Sequence, residues 1–177
     1  MKSWKSPVAA IGLLVFVVLS AFFLHRFART PLGDEPVIPY PDSEMPQSAQ
    51  LEFLEGNFKI IKNVKNLPRP VLQSFTEKGG SRFTIANPGK EFLATDVIYD
   101  SSLPQKRLIF AGVLNDKCFV YYEQGGIGLS DVLAFFKVQS TKMQPLWRGF
   151  CGPAATVQDL RSQIANGKCY SVPKRMK

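Results

Sequence analysis

The sequence predicts an α+β domain carried behind a single N-terminal transmembrane helix. Three observations point there. Val8 to Leu24 is an unbroken apolar run. Asn115-Asp116 separates two strand-like stretches by two residues, the strongest hairpin signal in the chain. Helical patterns lie on either side of those stretches, so two short helices flank a largely antiparallel meander sheet. The 177 residues divide accordingly into a membrane anchor with basic flanks (1–29), a Pro-rich linker (30–50) and an extracytoplasmic domain (51–177).

The anchor VAAIGLLVFVVLSAFFL carries no charge and one hydroxyl, Ser20. Its 17 residues make a helix about 26 Å long, close to a hydrocarbon core of about 30 Å. Trp4 suits the headgroup level, Pro7 suits a first helical turn, and Arg26 can snorkel outward. A cleaved signal peptide is the rival reading, since Lys2 and Lys5 form a basic leader. Cleavage after Ala21 places bulky Leu19 at the third position upstream, and cleavage after Ala28 places Arg26 there, so an uncleaved anchor is favoured. Arg26 and Arg29 nearly balance Lys2 and Lys5 across the span. The short basic tail before the run resembles an export signal, which sets the N-terminus in the cytoplasm and the domain outside the cell membrane. Secretion after signal cleavage is the alternative.

The linker holds Pro31, Pro36, Pro39, Pro41 and Pro46 with acidic residues between them. Such a segment is extended, at about 3.1 Å per residue where polyproline-like.

Within the domain, Leu51, Leu54, Phe58 and Ile61 repeat at helical spacing, interrupted by Gly56-Asn57. A short helical turn and then a strand over Phe58 to Val64 is the reading. Arg69 to Lys78 forms a helix, with Pro70 in its first turn and Gly79-Gly80 as its stop. Strands follow over Arg82 to Ala86, closed by the turn Asn87-Pro88-Gly89, and over Glu91 to Tyr99. Lys106 to Leu114 and Lys117 to Glu123 make the hairpin. Ile127 to Val138 and Met143 to Phe150 complete the meander. Thr156, with Asp159 three residues on, opens a last helix whose apolar face is Leu160 and Ile164, and Asn166-Gly167 ends it.

Three cysteines permit one intramolecular disulfide. Cys151 and Cys169 bracket the last helix, and a bridge there is worth roughly 3 kcal/mol in the chain-entropy model. Cys118 reads as a small buried apolar side chain.

Charge is uneven. Eighteen of the 22 basic and ten of the 14 acidic residues follow position 50, which makes the domain +8. Lys59, Lys62, Lys65 and Arg69 form its densest basic run. A charge run reads first as a solvated face, but beside a bilayer it also suits anionic headgroups, acidic envelope polymers or an acidic protein. Nucleic acid fits an exported domain poorly, and no nucleic-acid motif is present.

Missing residues exclude much chemistry. The single histidine, His25, lies at the membrane boundary. The domain therefore lacks histidine-activated nucleophiles and histidine zinc sites. It has no CxxC pair, phosphate-binding GxxxxGK[ST] or GxGxxG. No cofactor or metal is implied. Carboxylates remain. Glu123, beside Gly125-Gly126, and Asp131 stand where a hairpin would set them face to face, as a carboxylate-dependent hydrolase requires, although nothing in the spacing shows a cleft. Tyr121, Tyr122, Phe135, Phe136, Trp147 and Phe150 concentrate aromatics in the second half of the sheet. Alternation sends one of each adjacent pair to each face, so Tyr122 and Trp147, with Arg148, are candidates for an exposed interaction row if helices do not cover them.

These observations favour a non-catalytic, single-pass envelope protein that binds a protein partner or an anionic surface. The hydrolase is the first alternative. An accessory subunit that uses the anchor helix as its interface, with Gly12 as a small-residue notch, is the second.

Overall fold

The protein, described here from a computed structural model, is placed over residues 44–76 and 83–171. The anchor Val8 to Leu24, the first part of the linker, the Gly79-Gly80 stop and the tail from Pro173 lie outside these residues. Among the described residues no helix is long and apolar enough to cross a membrane.

The described chain is an α+β domain with an antiparallel sheet and short helices. In order it forms α1 (Gln47–Glu55), β1 (Lys59–Ile61), a 3-10 turn (Val64–Asn66), α2 (Arg69–Ser74), β2 (Ile85–Ala86), β3 (Lys106–Leu114), β4 (Lys117–Gln124), β5 (Ser130–Val138), β6 (Met143–Cys151), α3 (Val157–Ala165) and β7 (Tyr170–Ser171). The sheet runs β1-β3-β4-β5-β6-β7, and β2 pairs in parallel with the start of β3. A meander of four long strands forms its centre.

The hairpin works as its sequence indicates. Leu114 opposes Lys117, and Asn115 takes a left-handed φ of 50°, which asparagine tolerates.

Both faces of the sheet are covered, and the alternation of the central strands supplies two cores. Phe110, Phe119, Tyr121, Leu133, Phe135 and Trp147 pack with Phe53 of α1 and with Leu160 and Ile164 of α3. Leu108, Ala111, Cys118, Val120, Tyr122, Val132, Ala134 and Phe136 pack on the other side with Val64, Leu67, Val71 and Phe75. A bulge between Leu108 and Phe110 switches faces within β3, so that Leu108 and Ala111 share one core while Phe110 serves the other. Phe53 meets Phe119 edge-on at 5.0 Å and Phe135 at 6.0 Å. Such pairs add about 0.5–1.5 kcal/mol each beyond the area they bury.

Three α-helices are present among the described residues. The short helical turn read at Leu51 and Leu54 is a full helix, α1, which starts earlier, at Gln47 inside the segment read as linker. Ala49 and Phe53, one turn apart, bury its inner face, while Leu51 is exposed. Arg161 of α3 donates to the Phe53 carbonyl at 3.2 Å and to the Gly56 carbonyl, satisfying the open end of α1. The capping box of α3 forms: the Thr156 hydroxyl accepts from the Asp159 N–H, and the Asp159 carboxylate accepts from the Thr156 N–H.

The strand predicted over Glu91 to Tyr99 does not form. β2 already occupies the edge of β3 at Lys106 and Arg107, leaving no ladder for it to join. Phe92 and Leu93 turn inward, the Leu93 N–H bonds to the Pro104 carbonyl at 2.9 Å, and only Thr95 bridges, to Gly126. The predicted start of the next strand at Ile127 moves to Ser130, because β4 ends opposite it at Gln124. The strand predicted over Phe58 to Val64 shortens to Lys59–Ile61, since the following residues wind into the 3-10 turn.

Candidate functional site

The two ends of the meander differ. One end holds the short reversals, at Asn115-Asp116 and between β5 and β6. The other collects the long connections: residues 87–105, 125–129 and 152–156. Loops carried on a rigid sheet are where sites are built.

At this loop end three chemistry-bearing side chains fall into one row across the strands. Arg107 of β3 opposes Glu123 of β4, and Glu123 opposes Asp131 of β5. Side chains directly opposite on one face have Cβ atoms about 4.5–5.5 Å apart. The next position in the row is Cys151 of β6. The row floors an open cleft of about 960 Å³, walled by Pro88 and Gly89 on one side and by Pro153 to Ala155 on the other, with Leu129 and Tyr170 at its rim.

Each wall is held by the fold. The Pro88-Gly89 wall is a tight turn in which the Lys90 N–H reaches the Asn87 carbonyl at 3.1 Å and Gly89 takes a φ of 71°. The Asn87 side chain accepts from the Val64 N–H at 2.8 Å, tying the turn to the far core. The opposite wall is fixed by Gln163 of α3, which accepts from the Gly152 N–H at 2.7 Å and donates to the Pro153 carbonyl at 3.0 Å. Tyr121 adds a hydroxyl bond to the Gly152 carbonyl at 2.8 Å. Burial, with Asp131 and Glu123 nearby, pushes the Tyr121 phenol pKa upward and keeps it a donor. Gly125 closes the loop floor: a Cβ there would stand 1.8 Å from the Leu93 carbonyl oxygen.

Arg107 is fixed twice. Its Nε and Nη2 donate to Glu123 at 2.5 and 2.9 Å, and its guanidinium stacks over Phe92 at 4.4 Å. The hydrogen bond to Glu123 raises the Arg107 pKa further. The Asp131 carboxylate has no hydrogen bond or ion pair with another described residue. Burial first, and then the charge of Glu123, push its carboxyl above its ordinary value.

The predicted interaction residues separate. Lys59, Lys62, Lys65 and Arg69 are all exposed and make no ion pair among the described residues. They run from the edge strand β1 through the 3-10 turn to the start of α2. Lys59 on an edge strand also discourages pairing with another chain. Tyr122 and Trp147 are corrected: each is 2 % exposed. Both faces of the sheet are covered, so neither strand face offers an aromatic row. Tyr122 packs edge-on against Phe75 at 5.6 Å, and the Trp147 indole donates to the Ser171 hydroxyl at 3.0 Å. Arg148 is half-buried and donates to Gln124 at 2.5 Å. Cys151 and Cys169 are joined in a disulfide with Cα atoms 4.4 Å apart. Cys118 is fully buried, and that burial pushes its thiol up to about 12.

Sequence reasoning placed Glu123 and Asp131 together but missed Arg107 and the cleft. The hairpin register through Asn115-Asp116 carries the signal for Arg107, since it sets position 107 opposite 123 once the bulge is counted. The walls come from distant loops and leave no local pattern.

No protein-family model, curated protein or solved structure matches this chain.

Proposed function

We propose that the chain is a membrane-anchored envelope protein whose basic, non-catalytic domain binds an anionic surface or an acidic protein through Lys59, Lys62, Lys65 and Arg69. The observation that supports this reading is that all four cations are exposed, within eleven consecutive residues, and make no ion pair among the described residues. Unpaired surface lysines keep their full field for a partner, and each contributes about 1 kcal/mol near an anionic surface. That field acts within about 8–10 Å, so the anionic surface or acidic partner must come up against these residues. Co-purification of acidic partners should collapse with added salt. Salt-independent association would reject the electrostatic contact.

A second reading has its own support. Glu123 and Asp131 are cross-strand neighbours within a cleft, an arrangement that a carboxylate-dependent hydrolase would use. Glu123 is engaged by Arg107, which leaves Asp131 as the candidate acid. Alanine at both positions should abolish any hydrolysis found; unchanged turnover would remove this reading.

A further inference from the structure

The cleft at the loop end is separate from the basic run, and one charge on its floor is left over. We propose that the cleft binds a small organic cation, an ammonium or guanidinium head on an apolar body, with the Asp131 carboxylate as counter-ion and Leu129, Pro153 and Ala155 as the apolar seat. This shares the cleft with the hydrolase reading but requires no turnover.

The charge count on the floor carries the inference. Arg107, Glu123 and Asp131 stand in one cross-strand row. Arg107 and Glu123 close on one another, each Glu123 oxygen accepting from the guanidinium, so their charges are spent. The Asp131 carboxylate is half-buried in the same cleft, with no hydrogen bond or ion pair to another described residue. Burial and then the charge of Glu123 hold it above its ordinary pKa, so the ionised form is already short of hydration. A charge drawn out of water is compensated by an opposite one. Among the described residues no cation pairs with it, and the cleft is open for a ligand to do so.

The uncommitted groups select the head. An anion would meet two carboxylates, with the guanidinium between them already engaged. A calcium ion takes about six to eight oxygen ligands, whereas in this row only the Asp131 oxygens are uncommitted. An ammonium or guanidinium asks for less. Its N–H groups donate to Asp131, and the adjoining Ser130 hydroxyl is a further acceptor.

The walls select the body. Leu129, two positions before Asp131, lines the cleft and remains 56 % exposed. Pro153 and Ala155 belong to the wall that Gln163 fixes through the Gly152 N–H and the Pro153 carbonyl, so this seat is formed before any ligand arrives. An alkyl or aryl group gains by covering such a surface, and a hydrated inorganic cation does not. The volume of about 960 Å³ lies within the range for small-molecule sites, about 300–1,000 Å³, which are mostly apolar with a few placed polar groups.

The test is binding in the cleft itself. The full chain in nanodiscs of a zwitterionic lipid would be titrated with methylammonium, butylammonium, benzylammonium and butylguanidinium. Methyl NMR signals of Leu129 and Ala155 would report occupancy, because they read the cleft rather than partition into lipid. Saturable shifts in the millimolar range or tighter are expected from at least one of the three larger cations, with methylammonium weaker by about threefold or more. Asp131→Asn keeps the shape without the charge and should weaken binding about tenfold or more. Leu129→Ser should narrow the difference between butylammonium and methylammonium. Four results would each overturn the proposal: no saturation by any of these cations up to about 50 mM; equal affinity in Asp131→Asn; butanol or butyrate binding as tightly as butylammonium; or calcium, or a capped Ala-Lys-Ala peptide, binding more tightly than every free cation. Any hydrolysis that survives Asp131→Asn would remove the hydrolase reading without touching this one.

Discussion

Glu123 and Asp131 stand directly opposite one another on β4 and β5, and among the described residues Arg107 forms its ion pair with Glu123. The row is therefore asymmetric. Glu123 is neutralised by a two-point contact, while Asp131 shares a partly buried position with a like charge and forms no ion pair among the described residues.

Asp131 should make stability fall with rising pH. Its folded carboxyl holds a proton more tightly than the unfolded one, so ionising it opposes folding. The penalty is absent below the unfolded value, about 3.9, and is complete above the folded value. Asp131→Asn should raise the melting temperature at pH 7.5 and leave it unchanged near pH 3. The gain should stay below about 1 kcal/mol, because the side chain remains partly solvated. Thermal unfolding of both proteins across that range decides it, and a constant difference would contradict the assignment.

Arg107→Gln should destabilise the domain by about 1–2 kcal/mol at neutral pH, since it removes a charged two-point hydrogen bond and strands Glu123 beside Asp131. Arg107→Lys should recover only part of this, because an ammonium cannot reproduce the fork or the stacking on Phe92. Denaturant unfolding of the two variants should rank them in that order.

Replacing Cys151 and Cys169 together by serine should cost about 3 kcal/mol, as expected for a closed loop of this length. The bridge spans 18 positions and ties the end of β6 to the segment before β7. Amide exchange should rise first at Tyr170 and Ser171, before the central strands lose protection.

Phe53→Ala should cost about 3–5 kcal/mol, the range for a fully buried aromatic. Phe53 joins α1 to the rings of Phe58, Phe119 and Phe135. Leu51→Ala on the same helix should change stability by less than about 0.5 kcal/mol, because that side chain is exposed.

What the sequence made legible follows from the range of the interactions. The Asn115-Asp116 reversal, the Thr156–Asp159 cap and the Asn166-Gly167 stop depend on neighbours within a few residues, and those elements appear where read. The segment from Glu91 to Tyr99 has strand-like residues but no available edge, a fact set by β2 pairing elsewhere. Tyr122 and Trp147 illustrate the same limit. Alternation assigns them to faces, but only the tertiary arrangement of α1, α3 and α2 shows that both faces are covered. For the cleft, Glu123 and Asp131 follow from hairpin register. Its walls come from the turn at Pro88-Gly89 and from the segment that Gln163 holds, which no local pattern joins.

Lys59, Lys62, Lys65 and Arg69, we propose, act together as a cationic contact for anions. The most direct measurement is binding of heparin, a soluble polyanion, to the full chain in zwitterionic nanodiscs over a salt series. Affinity should fall steadily with salt, and a variant with glutamine at all four positions should bind much more weakly with a shallower salt dependence. Equal affinity and equal salt dependence in the variant would contradict the account.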